Sequence, residues 1–212
     1  MSGVTANRCH SIISAVCRFA LSEDLLESNP AQAIRKRGQE VQRERVMSLG
    51  ELRAFWAALN DYPSDRALRL LLLLGQRRAE IADSKPSELA DDEWRIPSSR
   101  TKNALPHIVP LTSYARELFG NCFGLHPSQL SHRFRDIVRS LNMPDIRLHD
   151  LRHCAATGMA QLGVPRELRE RVQNQITGRR QSIGARYDQY EYLDEKRDAL
   201  ARWEAHLLSI VS

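Results

Sequence analysis

His149, Asp150, Leu151, Arg152 and His153 follow one another in this chain. On a helix, residues three and four apart share a face, so His149, Arg152 and His153 converge. Two histidines at that spacing can chelate zinc, and a protease of that type needs a glutamate directly after the first. Asp150 stands there instead, Arg152 would repel a dication, and no third ligand announces itself. The residues point away from a metal and toward phosphate. A guanidinium offers planar, forked donors that match two phosphate oxygens, and an imidazole moves protons near neutral pH. Alone, such a pair is usually a surface pair, so its company matters. Upstream, Arg77 follows the run Leu71 to Leu74 and precedes Glu80, either to pair with that carboxylate and cap helix-end carbonyls or to meet an anion. Lys102 lies in a polar stretch with Arg100, solvated or aimed into a groove. Downstream, Tyr187, Tyr190 and Tyr192 offer phenols that are either packing residues or, once a proton is made easier to lose, a nucleophile.

The ordered set Arg77, Lys102, His149, Arg152 and Tyr187 strongly resembles that of the tyrosine recombinases, in particular the prophage-type integrases. The flanking text carries the resemblance from about Ser48 to Leu208: "LLLLGQRRAEI", "SSRTKNALPHIVPLT", "LHDLRHCAATGMAQLGVP" and "ARYDQYEYLDEKRDALARW". Each string is weak alone; their order and spacing together are specific. The resemblance implies an enzyme, a site-specific DNA recombinase that cleaves and rejoins duplex DNA in the integration or excision of mobile DNA. It implies that Arg77 and Arg152 clamp the scissile phosphate and that Lys102 protonates the departing 5′ oxygen. His149 would assist proton transfer, and Tyr187, first of the three tyrosines, would attack to give a 3′-phosphotyrosyl link. No metal and no cofactor is implied. The implied partners are double-stranded DNA and other recombinase subunits in a tetramer.

Two departures from the family pattern stand out. Gln175 occupies the position where the family usually has histidine or tryptophan; it can donate a hydrogen bond to phosphate but cannot relay a proton, which predicts reduced activity. At the amino end, the family's separate helical DNA-clamping domain is matched only over its last helix or so, by residues 1–28. That implies a truncated chain with fewer phosphate contacts. An alternative follows: a weakly active or inactive remnant that only binds DNA or pairs with full-length recombinases. A type IB topoisomerase-like activity would share the chemistry. Candidate DNA contacts are Arg35, Lys36, Arg37, Arg78, Arg100, Arg179 and Arg180.

Positioning these residues requires a mainly α fold with a small antiparallel β element, the tyrosine-recombinase catalytic fold by resemblance. Residues 5–27 read as a helix with Ile12, Ile13, Val16, Phe19 and Ala20 on one face, stopped by Asn29 and Pro30. The domain plan is a helical remnant over 1–28, a basic linker over 29–47 and the catalytic domain over 48–212. Ser48 and Glu51 make a capping box ahead of Leu49, Leu52, Phe55, Trp56 and Leu59. Helices are predicted over about 65–75, from Arg77 or Arg78, over about 130–141, over about 147–162 with Gly163 as a left-handed cap, over 164–172 and over 194–210. Trp94–Pro97 and His107–Leu111 read as strands of a hairpin with Lys102 at or near its tip.

Composition sets the outer bounds. Hydrophobic residues at 42% and charged residues at 27% describe an ordinary globular protein. The longest apolar run, Leu70 to Leu74, is far short of the ~20 residues of a membrane span, and no secretory signal is seen. Cys9, Cys17, Cys122 and Cys154 lack paired spacing, so reduced thiols and a cytoplasmic setting are expected. A net charge of +5 and a pI near 9.3 permit a polyanionic partner without requiring one.

Overall fold

Leu70 to Leu74 are all at most 2% exposed, and five consecutive buried residues cover more than a full helical turn, so this end of their helix is enclosed on every side. The computed structural model describes residues 3–37, 45–175 and 190–211. It divides into two units, Met1–Glu44 and Arg45–Ser212.

In the first unit, α1 (Gly3–Ser22) ends sooner than its apolar pattern predicts. Asp24 takes a left-handed φ of 56°, and Leu25 N–H closes back onto the Ala20 carbonyl at 2.8 Å. The following segment folds onto α1: Asn29 Nδ2 reaches Ser14 Oγ, His10 Nε2 bonds the Ala31 carbonyl, and Arg37 N–H bonds Asn7 Oδ1 at 2.6 Å. Residues 29–37, read as linker, are therefore tied to the helix before them. Ile12, Ile13, Val16 and Phe19 lie exposed.

The second unit contains α2 (Leu49–Ala57), α3 (Pro63–Leu74), α4 (Arg78–Ala82), β1 (Leu89–Ala90), β2 (Glu93–Ile96), β3 (His107–Pro110), α5 (Ser113–Phe119), α6 (Pro127–Ser140), α7 (Asp150–Gln161), α8 (Arg166–Val172) and α9 (Leu193–Val211). The Ser48–Glu51 capping box opens α2, with Ser48 N–H on Glu51 Oε2 at 2.8 Å. Helix α3 packs against α5, α6, α7 and α9. Pro63 starts it two residues before the predicted Asp65, because proline suits the first turn. Asp65, fully buried, is instead the anchor: it accepts from Arg133 Nε and Nη2 on α6.

The strands form one antiparallel sheet in the order β1-β2-β3, with Leu89 opposite Trp94 and Trp94 opposite Val109. The expected hairpin is thus extended by β1, whose two residues are too few to show a period. Helix α5 was also not expected; Thr112 Oγ1 caps it by accepting from Ala115 N–H at 3.1 Å. Helix α7 begins three residues later than its pattern predicts. Residues 147–149 form a tight turn of i to i+3 bonds, and the Asp150 carboxylate reaches back to Arg147 N–H at 2.8 Å. Helix α9 buries Leu200, Trp203 and Leu207, and Trp203 Nε1 donates to the Leu72 carbonyl of α3 at 3.0 Å. Among the described residues no helix is long and apolar enough to cross a membrane.

Candidate active site

The site is assembled where α3 stops. Gly75 ends that helix in the left-handed region, φ 62°, and a Cβ there would lie 2.7 Å from Gln173 Nε2 and 3.2 Å from the Ala155 Cβ. Glycine meets both the dihedral and the close approach. Its position lets α7 and the turn after α8 close over the end of α3.

Arg77 is the residue just ahead of α4, in extended geometry. Glu80, 2% exposed, holds it twice: Oε2 accepts Arg77 N–H at 2.9 Å and Oε1 accepts Nη1 at 2.8 Å. Arg77 Nη2 donates to the Asn174 carbonyl at 3.0 Å. Both pairing partners weighed from sequence, a nearby carboxylate and a helix-end carbonyl, are therefore engaged. The side chain stays 24% exposed, so it can also meet an anion.

Arg152 is the more deeply placed guanidinium, at 3% exposure. Nη1 donates to the Gly75 carbonyl at 2.8 Å and Nη2 to the Gln173 carbonyl at 2.5 Å, while Nε has no partner among the described residues. A guanidinium has five N–H donors, so several remain for an anion. Burial, then the charge of Arg77, push its pKa down to about 10, which still leaves it charged at neutral pH.

His149 stands immediately before α7, exposed, its ring edge-on to His153 at 4.9 Å between centroids. Partial desolvation, with His153 and Arg152 adding, holds its pKa below the ordinary histidine value. The imidazole is therefore neutral around pH 7 and ready to accept a proton. Lys102 is exposed in the connection between β2 and β3.

Arg77, Lys102, His149 and Arg152 line one cleft of about 370 Å³, together with Arg78 and Gln76. Arg78 donates to Ser131 Oγ on α6 at 2.6 Å. An adjoining cleft of about 390 Å³ shares Leu148 and is lined by Arg135, Arg139 and Arg147. Gln175, half-buried just after α8, donates its N–H to the Glu170 carbonyl at 2.8 Å and is not among the lining residues. Tyr187, Arg179 and Arg180 lie outside the described residues. Arg100 turns inward, onto Glu88 at 2.7 Å and the Glu80 carbonyl. Arg35, Lys36 and Arg37 are exposed in the first unit. Among the described residues no group of three or more His, Cys, Asp or Glu is placed to hold a metal ion.

Sequence reasoning missed the supporting residues. Gln173, 2% exposed, donates from Nε2 to the Arg152 carbonyl at 2.9 Å, closing a reciprocal pair. Asn103 and Asn174, each next to or bonded to a residue that lines the cleft, bond each other. The one available signal was the i, i+3 spacing of Arg77 and Glu80.

No family model matches the chain. It is 23% identical over 215 residues to the "Putative prophage phiRv2 integrase" of two strains of Mycobacterium tuberculosis, covering 83% of this chain. The chain spans only 57% of the length of those relatives. Among solved structures, an integrase from mycobacterium phage Brujita is similar with a TM-score of 0.63 at 15% identity, covering 100% of this chain and 78% of that one. Lambda integrase, solved as a dimer bound to a COC′ core site, is similar with a TM-score of 0.67 at 16% identity, covering 94% of this chain and 61% of that one.

Proposed function

We propose that this chain, which has the tyrosine-recombinase catalytic fold, cleaves and rejoins duplex DNA through a covalent phosphotyrosine. The observation that carries this reading is the single cleft in which Arg77, Lys102, His149 and Arg152 meet from three separate stretches of chain. Two guanidiniums and an ammonium facing a neutral imidazole form a site for a phosphodiester. In the proposed reaction the Tyr187 oxygen attacks the scissile phosphorus and its proton passes toward His149. The bond from phosphorus to the 5′ oxygen breaks, and Lys102 supplies that oxygen's proton. Arg77 and Arg152 stabilise the charge that grows on the non-bridging oxygens. The 5′ hydroxyl of a second strand then attacks the phosphotyrosine, releasing Tyr187 and resealing the backbone without an external energy source.

The substrate is double-stranded DNA, and copies of this chain act together on it, as the bound lambda integrase dimer supports. Arg78 and the arginines of the adjoining cleft extend the positive surface along which a backbone would run. The likeness to phage integrases supports integration or excision of mobile DNA as the setting of this reaction. A second reading, DNA binding with weak cleavage, is favoured by Gln175, which cannot relay a proton.

A nicked suicide duplex, which loses its 5′ fragment after cleavage, tests the reading without added metal. Wild-type protein is expected to form a covalent adduct resistant to denaturation, and Tyr187→Phe none. An adduct formed equally by Tyr187→Phe would reject this nucleophile. Binding without any adduct across attachment-site duplexes would leave the second reading in its place.

A further inference from the structure

A general acid must lie within hydrogen-bond reach of the leaving oxygen, and an error of about 1 Å can cost on the order of 100-fold in rate. Lys102 has a long, flexible side chain on an exposed connection, so its backbone needs an anchor. The connection is braced internally. Thr101 Oγ1 donates to the Leu105 carbonyl at 2.7 Å, and Asn103 Oδ1 accepts Leu105 N–H at 3.3 Å as Ala104 takes a φ of 54°. These bonds shape the loop but do not aim it at the cleft.

We infer that Asn103 and Asn174 form a latch that positions Lys102 over the scissile phosphate; the inference rests on the proposed role of Lys102 as proton donor. Asn103 Nδ2 donates to Asn174 Oδ1 at 2.6 Å, and Asn174 Nδ2 returns a bond to Asn103 Oδ1 at 3.3 Å. Two primary amides can satisfy each other in this reciprocal way because each is both donor and acceptor. The pair is not a loose surface contact: Asn174 is 2% exposed, and its φ of 51° is a left-handed geometry that asparagine tolerates. Its carbonyl meanwhile accepts Arg77 Nη2 at 3.0 Å. Asn174 thus joins the loop carrying the acid to one arm of the phosphate clamp. Its neighbours along the chain are Gln173, which accepts from Arg152, and Gln175. Both asparagines are positioning residues, acting through Lys102.

The test compares ordinary suicide DNA with DNA whose bridging 5′ oxygen is replaced by sulfur. A thiolate leaves without a proton, since its conjugate thiol has a pKa of roughly 8.5. A variant defective only in acid catalysis is therefore rescued by sulfur. Asn174→Gly removes the amide while keeping the left-handed backbone and the carbonyl on Arg77. It is expected to slow single-turnover cleavage of ordinary DNA by about 10- to 100-fold and to cleave the sulfur DNA within about twofold of wild type. Asn103→Ala should behave alike, and the double variant should be no worse than either single one, as for two residues acting as a unit. Equal losses on both DNAs, or no loss on either, would overturn the latch. Lys102→Ala serves as the reference: if sulfur does not rescue it, the role of Lys102 is wrong, and the latch falls with it for that separate reason. Hydrogen exchange on the full chain gives a readout that needs no activity. Asn174→Gly should speed exchange in 101–106 and leave the α2 amides unchanged; unaltered 101–106 would also overturn the latch.

Discussion

At the scale of single residues, Arg152 does two jobs with one guanidinium. It faces the proposed phosphate site, and it also ties the end of α3 to the turn after α8 through the Gly75 and Gln173 carbonyls. Arg152→Lys keeps the charge but offers a single point donor that cannot span both carbonyls. Each buried acceptor left without a partner costs about 1–3 kcal/mol. The lysine variant should therefore unfold at lower urea, with a loss of about 1–3 kcal/mol for the acceptor left unpaired, as well as lose the proposed activity. Wild-type stability would show that the carbonyls had found other donors. It follows that inactivity of an Arg152 variant does not alone prove a phosphate contact. This residue was legible in the sequence because its type and its spacing from His149 are informative. Its receivers were not, because a backbone carbonyl accepts regardless of which side chain it carries.

At the scale of elements, the contact of α7 with α9 leaves the least room. A Cβ on Gly158 would fall 2.0 Å from Trp203 Cζ3, an overlap no small rotation relieves, since Trp203 is pinned by its bond to Leu72. Gly158→Ala is expected to destabilise by at least about 1–3 kcal/mol, although alanine ordinarily favours a helix interior over glycine. A thermal melt settles the sign; an unchanged or higher midpoint would refute the overlap. Periodicity made α3, α6 and α9 readable, since each buries several large apolar side chains on a repeating face. It failed for β1 and α5, which are short. It misplaced the start of α7, where a tight turn over 147–149, closed by the Asp150 carboxylate on Arg147 N–H, precedes the first regular helical turn. Nothing local in the sequence marks Asn103 and Asn174 as partners, 71 residues apart.

At the scale of the whole molecule, the interior is hostile to positive charge although the chain carries +5. Burial lowers His107 to about 3 and Lys196 to about 8. His107 bonds the Val172 carbonyl at 3.1 Å and is 7% exposed. Its folded pKa lies below the unfolded value near 6.5, so below that pH the unfolded chain takes up a proton that the native state refuses. Stability should fall as pH drops from about 6.5 toward 3, by up to about 1.4 kcal/mol per unit. His107→Gln, which keeps a donor for Val172, should reduce the pH dependence of urea unfolding between pH 5 and 7. An equally steep decline in the variant would locate the effect elsewhere. A last consequence concerns how the molecule comes into being. The carbonyls that hold Arg152 belong to residues 75 and 173, and those that orient Arg77 to side chain 80 and backbone 174. No local stretch of chain contains the clamp, so it exists only once long-range closure is complete. On the proposed function, a nascent or partly unfolded copy carries the basic charge that would attract nucleic acid but no assembled means of breaking it. If the proposed chemistry belongs to this site, the fold thereby confines it to finished protein.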